Sequence, residues 1–141
     1  MKTSECRYAS CIYFSASALA RKVEKLALES WKPVGLSPSH AYLLLIVLDD
    51  AGIQPGALAE QLQLSPSTIT RLIEKLEERK LVVRTTEGKV TNVYPTPKAK
   101  ALLPDMKKCM DEFDKSTCGL LGTTESKAIA AGMSKLADKL P

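Results

Sequence analysis

Chemistry is concentrated in one stretch of this sequence, Ser65-Pro66-Ser67-Thr68-Ile69-Thr70-Arg71-Leu72-Ile73-Glu74-Lys75-Leu76-Glu77-Glu78-Arg79-Lys80. Ile69, Leu72, Ile73 and Leu76 fall at i, i+3, i+4 and i+7, the spacing of one buried helix face. At about 100° per residue the opposite face carries Ser67, Thr70, Arg71, Glu74, Lys75 and Glu78. Small hydroxyls and one arginine come first on that face, and the acids come later. Such an order suits an end-on approach to a polyanion. Ser65, Ser67 and Thr68, with the free N–H groups of a first helical turn, can hold phosphate oxygens. Arg71 can meet a guanine edge with two parallel hydrogen bonds. Glu74, Glu77 and Glu78 lie beside Lys75 and Arg79, where helical spacing allows them to pair.

Other chemistries find little support. The four cysteines, Cys6, Cys11, Cys109 and Cys118, show no CxxC spacing, and His40 is the only histidine. No metal site is expected from that set, and no cofactor. A nucleophile with a histidine partner, a glycine-rich phosphate loop and a carboxylate pair in a known motif are all missing, so the chain does not read as an enzyme.

The elements that must position the Ser65–Lys80 stretch are mostly helical. Ala9, Ile12, Ala16, Leu19, Ala20, Val23 and Ala27 predict a long amphipathic helix from about Ser4 to Ser30, ended by Pro33 and Gly35. Ser37-Pro38 offers a cap and a first-turn proline for a second helix, whose body from Tyr42 to Leu48 is apolar all round and belongs at the centre. Gln54-Pro55 starts a short helix to about Gln63, with Ala57, Leu58 and Leu62 facing inward. A tight turn at Gln63-Leu64 leads to Ser65-Pro66, a second cap-plus-proline start. Leu81 to Thr86 and Val90 to Tyr94 read as a hairpin joined at Glu87-Gly88. Pro95-Thr96-Pro97 opens another helix, interrupted or kinked at Pro104 and ended by Gly119 and Gly122. Thr123 or Thr124 with Glu125 opens the last. Two short helices, a tight turn and a hairpin make a winged helix-turn-helix.

Composition agrees. The chain has 141 residues, 45% of them apolar, and a formal net charge of +4. Residues 65–100 hold eight basic side chains against four acidic ones, so this stretch carries the whole excess. No apolar run has the length of a membrane span, the N-terminus lacks a hydrophobic signal core, and a cytoplasmic location is expected. The cysteines then read as thiols. A winged helix serving protein–protein assembly is the alternative to one that binds nucleic acid.

Leu36-Ser37-Pro38-Ser39-His40-Ala41-Tyr42, Leu58-Ala59-Glu60-Gln61-Leu62 and the Ser65–Arg84 stretch resemble the MarR family of transcriptional regulators, over about residues 36–103. The resemblance implies a mainly α fold with a small β-hairpin wing and N- and C-terminal dimerisation helices. In that layout residues 1–35 form the first dimerisation helix, 36–97 the DNA-binding region and 98–141 the C-terminal dimerisation helices. It implies a homodimer that binds a palindrome in double-stranded DNA. Carried over by position, Ser67, Thr68, Thr70, Arg71 and Lys75 fall on groove or phosphate contacts, Ser65 at the cap, and Arg84 on the strand leading to the wing. Two positions depart from the pattern. Lys80 stands where the family usually ends its recognition helix with glycine. The wing tip, Glu87-Gly88-Lys89, is short and lacks the usual Asp-x-Arg, leaving Lys89 as a substitute that positions more than it specifies.

Two effectors follow from the same resemblance. Cys11-Ile12-Tyr13-Phe14-Ser15-Ala16-Ser17 resembles, with a one-residue gap, the first helix of the organic-peroxide-sensing branch. Cys11 is then a candidate oxidant sensor, with Cys6, Cys109 or Cys118 as resolving partner. A small aromatic ligand is the other expectation, and Trp31, His40 and Tyr42 are the candidate pocket residues in the family layout.

Overall fold

The computed structural model describes all residues, Met1–Pro141. After a 3₁₀ turn at Thr3–Glu5 the helices are α1 (Ile12–Trp31), α2 (Pro38–Asp49), α3 (Pro55–Leu62) and α4 (Pro66–Glu78). Strands β1 (Val82–Glu87) and β2 (Val90–Pro95) follow, then α5 (Pro97–Leu121) and α6 (Thr123–Asp138). The chain divides into two compact units, one of residues 1–30 with 108–141, the other of residues 31–107.

In the Trp31–Lys107 unit, α2 is the central element. Ala41, Leu43, Leu44 and Val47 are fully buried on it, and α3, α4 and β2 all pack against it. The Ser37 side chain accepts from the His40 N–H at its start, with Pro38 in the first turn, as the cap-plus-proline pattern requires. β1 and β2 pair antiparallel with Val82 opposite Pro95 and Glu87 opposite Val90. The two-residue turn is therefore Gly88-Lys89, one position later than expected, with Gly88 at φ 64. A single further bridge joins Ile53 to Val93. Beside it Gly52 has φ 93, and a Cβ there would press on the Tyr94 ring at 3.2 Å, so this corner requires glycine. On α3, Leu58 is buried but Ala57 is exposed, because it lies about 100° from the buried line.

Both helices of the helix-turn-helix end in the same way. Gln63 and Lys80 adopt left-handed backbone, at φ 53 and 60. The next residues close the turn, Leu64 N–H to Ala59 O at 3.1 Å and Leu81 N–H to Leu76 O at 2.9 Å. These are Schellman endings in which glutamine and lysine occupy the position glycine prefers. Lys80 thus takes the left-handed conformation itself.

In the other unit, α1 begins at Ile12 rather than near Ser4, and residues 6–10 form turns. Cys11 O accepts the Ser15 N–H, and the Ser15 hydroxyl bonds to the Ala9 and Cys11 carbonyls, holding the turn against the helix start. α5 runs unbroken through Pro104, which sits on an exposed face where the Lys100 carbonyl it leaves unpaired can meet water. Gly119 stays helical. Gly122 ends α5 and caps α6, which opens at Thr123 as expected.

Candidate nucleic-acid interface

The interface is built on α4. Ile69, Leu72, Ile73 and Leu76 are all buried, the last at full depth. Their packing turns Ser67, Thr70, Arg71, Glu74 and Lys75 outward, all exposed. Ser65 organises the N-terminal end. Its hydroxyl accepts the Thr68 N–H at 3.3 Å and lies 2.9 Å from the Thr68 hydroxyl and 3.2 Å from that of Ser67. Three hydroxyls therefore gather at the positive end of the dipole of a 13-residue helix. Thr70 Oγ1 donates to Pro66 O at 3.0 Å, which folds the side chain back and leaves a low profile ahead of Arg71.

The charged side chains are distributed differently from their sequence spacing. Lys75 pairs with Glu78 at 3.4 Å, both well exposed, so the pair is weak and readily exchanged. Arg84 reaches back from β1 to Glu77 at 2.7 Å, with both side chains about one-third exposed. Among the basic candidates, Arg84 is thus the one held by a short ion pair. Lys89 stands exposed at the wing tip. Arg79 bonds to no neighbouring acid on α4 but reaches the backbone of residues 34 and 35, a long-range contact that local spacing cannot reveal. Lys98 and Thr96 were also missed, and they donate to the Arg79 and Lys80 carbonyls at 2.9 and 2.7 Å.

His40 lies beside this helix. Its Nδ1 is 2.5 Å from the Ser37 hydroxyl. Burial holds its pKa below the ordinary value, with further lowering from the Arg79 and Lys75 charges. Trp31 is completely buried, its ring 6.0 Å from that of Tyr42 in an edge-to-face arrangement. The Trp31 indole N–H has no acceptor. Tyr42 is 39% exposed.

The cysteines lie in the other unit. Cys11 is exposed, Cys6 and Cys118 are half-buried and Cys109 is buried, with no disulfide among them. That unit also holds an apolar groove of about 440 Å³, lined by Leu19, Val23, Phe113, Ile129 and Met133 among others. No group of three potential metal ligands forms, and no helix is long and apolar enough to cross a membrane.

Two recessed helices, a capped exposed helix and a hairpin define a winged helix-turn-helix. Residues 34–90 match the MarR family model. Over 76 residues the chain is 29% identical to the HTH-type transcriptional repressor MdtR of Bacillus subtilis (strain 168), 54% of this chain and 49% of that protein. The chain thus matches about half the length of this relative. Among solved structures, the transcriptional repressor CouR bound to p-coumaroyl-CoA superposes with a TM-score of 0.85 at 21% identity, covering 96% of this chain and 98% of that one. CouR bound to a 23-mer DNA duplex gives 0.84 at 22% identity, covering 97% and 98%. These relatives are named as transcriptional repressors.

Proposed function

We propose that this chain is a transcriptional repressor that binds a palindromic site in double-stranded DNA as a homodimer and lets go when a small ligand binds. One observation carries the DNA reading. The exposed face of α4 leads with a three-hydroxyl cap and Arg71, ahead of its acids, on a helix whose other face is fully committed to the core. Ser65, Ser67 and Thr68 take phosphates, Thr70 and Arg71 face base edges, and Lys75 and Lys89 add phosphate contacts. Arg84 contributes only after exchanging Glu77 for a phosphate. The apolar groove and exposed Leu19, Ile129 and Met133 favour a second copy as the partner, since an apolar face of this kind marks an interaction surface. Two such lobes would meet half-sites roughly 10 base pairs apart.

A ligand is favoured as the effector because a buried indole N–H without an acceptor costs about 1–3 kcal/mol. An oxygen-bearing aromatic molecule reaching Trp31 would relieve that cost, and CouR, a structural neighbour, is a repressor seen with p-coumaroyl-CoA. Oxidation of the exposed Cys11 is the competing switch, and a Cys11→Ser variant that still releases DNA on peroxide treatment removes it.

The test is binding to duplexes selected from random DNA. Affinity should fall with salt at a logarithmic slope of roughly −0.9 per phosphate neutralised. Arg71→Ala should lose about 1–3 kcal/mol on the selected duplex and relax preference at one position of each half-site. Unchanged binding by Arg71→Ala would mean that this face of α4 does not touch DNA.

A further inference from the structure

Arg79 is the C-cap that follows α4, and it is held from two directions. Its Nη1 donates to Gly35 O at 2.6 Å, and Nη2 lies 3.5 Å from Val34 O. Its own carbonyl accepts from Lys98 Nζ at 2.9 Å. The turn it grips is itself anchored: Gly35 adopts φ 66, its N–H bonds to Lys32 O, and the flanking Val34 and Leu36 are buried. A charge-assisted bond of this length is stronger than a neutral one, although water at the exposed Arg79 side chain reduces its net worth. From these contacts we infer that Arg79 is the positioning residue of the interface, fixing the tilt of α4 against the turn that leads into α2.

The geometry explains why tilt needs a dedicated restraint. Ile69, Leu72, Ile73 and Leu76 set how α4 is rolled about its axis, but their burial supplies no directional bond that fixes its tilt. A helix of 13 residues is about 20 Å long, so rocking it by about 5° about its C-terminal end moves the first turn by about 1.7 Å. That displacement breaks a base contact, whose heavy atoms must stay within about 3.2 Å. A single bond at that end would resist no rotation, but the guanidinium contact to Gly35 O and the Lys98 contact to the Arg79 carbonyl act at separate points and together hold the helix's direction, opposite the end that carries Ser65 and Arg71. The guanidinium contact also makes the turn at Val34–Gly35 and the pitch of the reading helix one mechanical unit. A shift of that turn, which directly follows Trp31, is then passed to the helix.

This inference rests on the DNA reading above, and its test separates the two. Arg79→Met removes the donors while keeping length, and Arg79→Lys keeps the charge and one possible bond to Gly35 O. Arg79→Met should weaken binding to the selected duplex about tenfold, one charge-assisted hydrogen bond's worth, while non-specific binding and the salt slope stay as in the unmodified protein. Arg79→Lys should recover part of the loss. Trp31 is the only tryptophan, so acrylamide quenching reports the turn without DNA, and it should increase in Arg79→Met. A salt slope reduced by about 0.9 per protomer would make Arg79 a phosphate contact and overturn the proposal. So would lower thermal stability with intact discrimination. If the unmodified protein does not discriminate between sequences, the DNA reading fails. Unchanged Trp31 quenching in Arg79→Met overturns the tether in either case.

Discussion

Leu44, Leu58, Ile73 and Leu81, all in the Trp31–Lys107 unit, are at most 1% exposed, whereas Leu19, Leu121, Ile129 and Met133 of the other unit lie between 42% and 48%. Of the twenty buried apolar side chains, eighteen belong to residues 31–107, and only Ala27 and Cys109 to the rest. The first unit therefore closes its core with its own residues. The second displays an apolar groove and an exposed row of large side chains, the composition of a surface that is completed by association. One unit derives its order from internal packing, and the other leaves apolar surface open, where the proposed function places a second copy. The contrast separates the stability of the winged helix-turn-helix from that of the proposed dimer.

Two substitutions should break that contrast in opposite senses. Ile73→Ala opens a cavity in the closed core and should cost about 2–5 kcal/mol in urea or thermal unfolding. Met133→Glu places a charge in the groove wall, which leaves the reader's core untouched. Its effect should fall on self-association, weakening the dimer by roughly 100-fold, about 3 kcal/mol. Sedimentation equilibrium measures the second and chemical denaturation the first. If Met133→Glu keeps the mass of the unmodified protein at low micromolar concentration, a second copy is not what covers the groove.

The closed unit was also the more legible one in sequence. Ile69, Leu72, Ile73 and Leu76 predict the buried face of α4 because periodicity reports directly on a packed helix, and Ser37-Pro38 and Ser65-Pro66 announce both helix starts. Local chemistry at longer range was not legible. Nothing near Arg79 in sequence marks Gly35 as its acceptor, 44 positions away, and the Arg84–Glu77 pair depends on where β1 lies against α4. The single bridge from Ile53 to Val93 leaves no alternating pattern to detect. In the other unit the apolar stripe from Ala9 onward overextended α1, because Ala9 is apolar without being helical. The turn before Ile12 is set by hydroxyl bonds from Ser15 instead.

A smaller effect sharpens the account of the reader's own architecture. Lys80 holds a left-handed backbone that glycine adopts without strain, at a penalty of about 1–2 kcal/mol for an L side chain. Replacing it with glycine restores the usual helix ending but frees the unfolded chain, which takes back about 0.5–1 kcal/mol. Lys80→Gly should therefore stabilise the protein by about 0.5–1 kcal/mol in denaturant unfolding. DNA affinity should change little, because Lys80 belongs to the helix end and not to the face that carries Arg71. A destabilised Lys80→Gly would mean that the lysine side chain makes a compensating contact.

The smallest effect concerns His40, at the corner where α2 begins and α4 ends. Burial first, and then the Arg79 and Lys75 charges, lower its pKa in the folded state. Above the unfolded value of about 6.5 the ring is neutral in both states and contributes no pH dependence. As pH falls below that value the unfolded chain takes up the proton first, so folding loses stability progressively until the folded ring is protonated as well. Partial exposure keeps the effect modest. A His40→Gln variant should lose less stability than the unmodified protein between pH 7.5 and pH 5.5, with the carboxylates common to both cancelling in the difference. Equal losses would place the ring in solvent, clear of the two cations. A larger loss in His40→Gln would reverse the sign and require an acid that stabilises the imidazolium. The same titration followed in Arg79→Met should show a shallower loss, because one of the two charges opposing protonation has been removed.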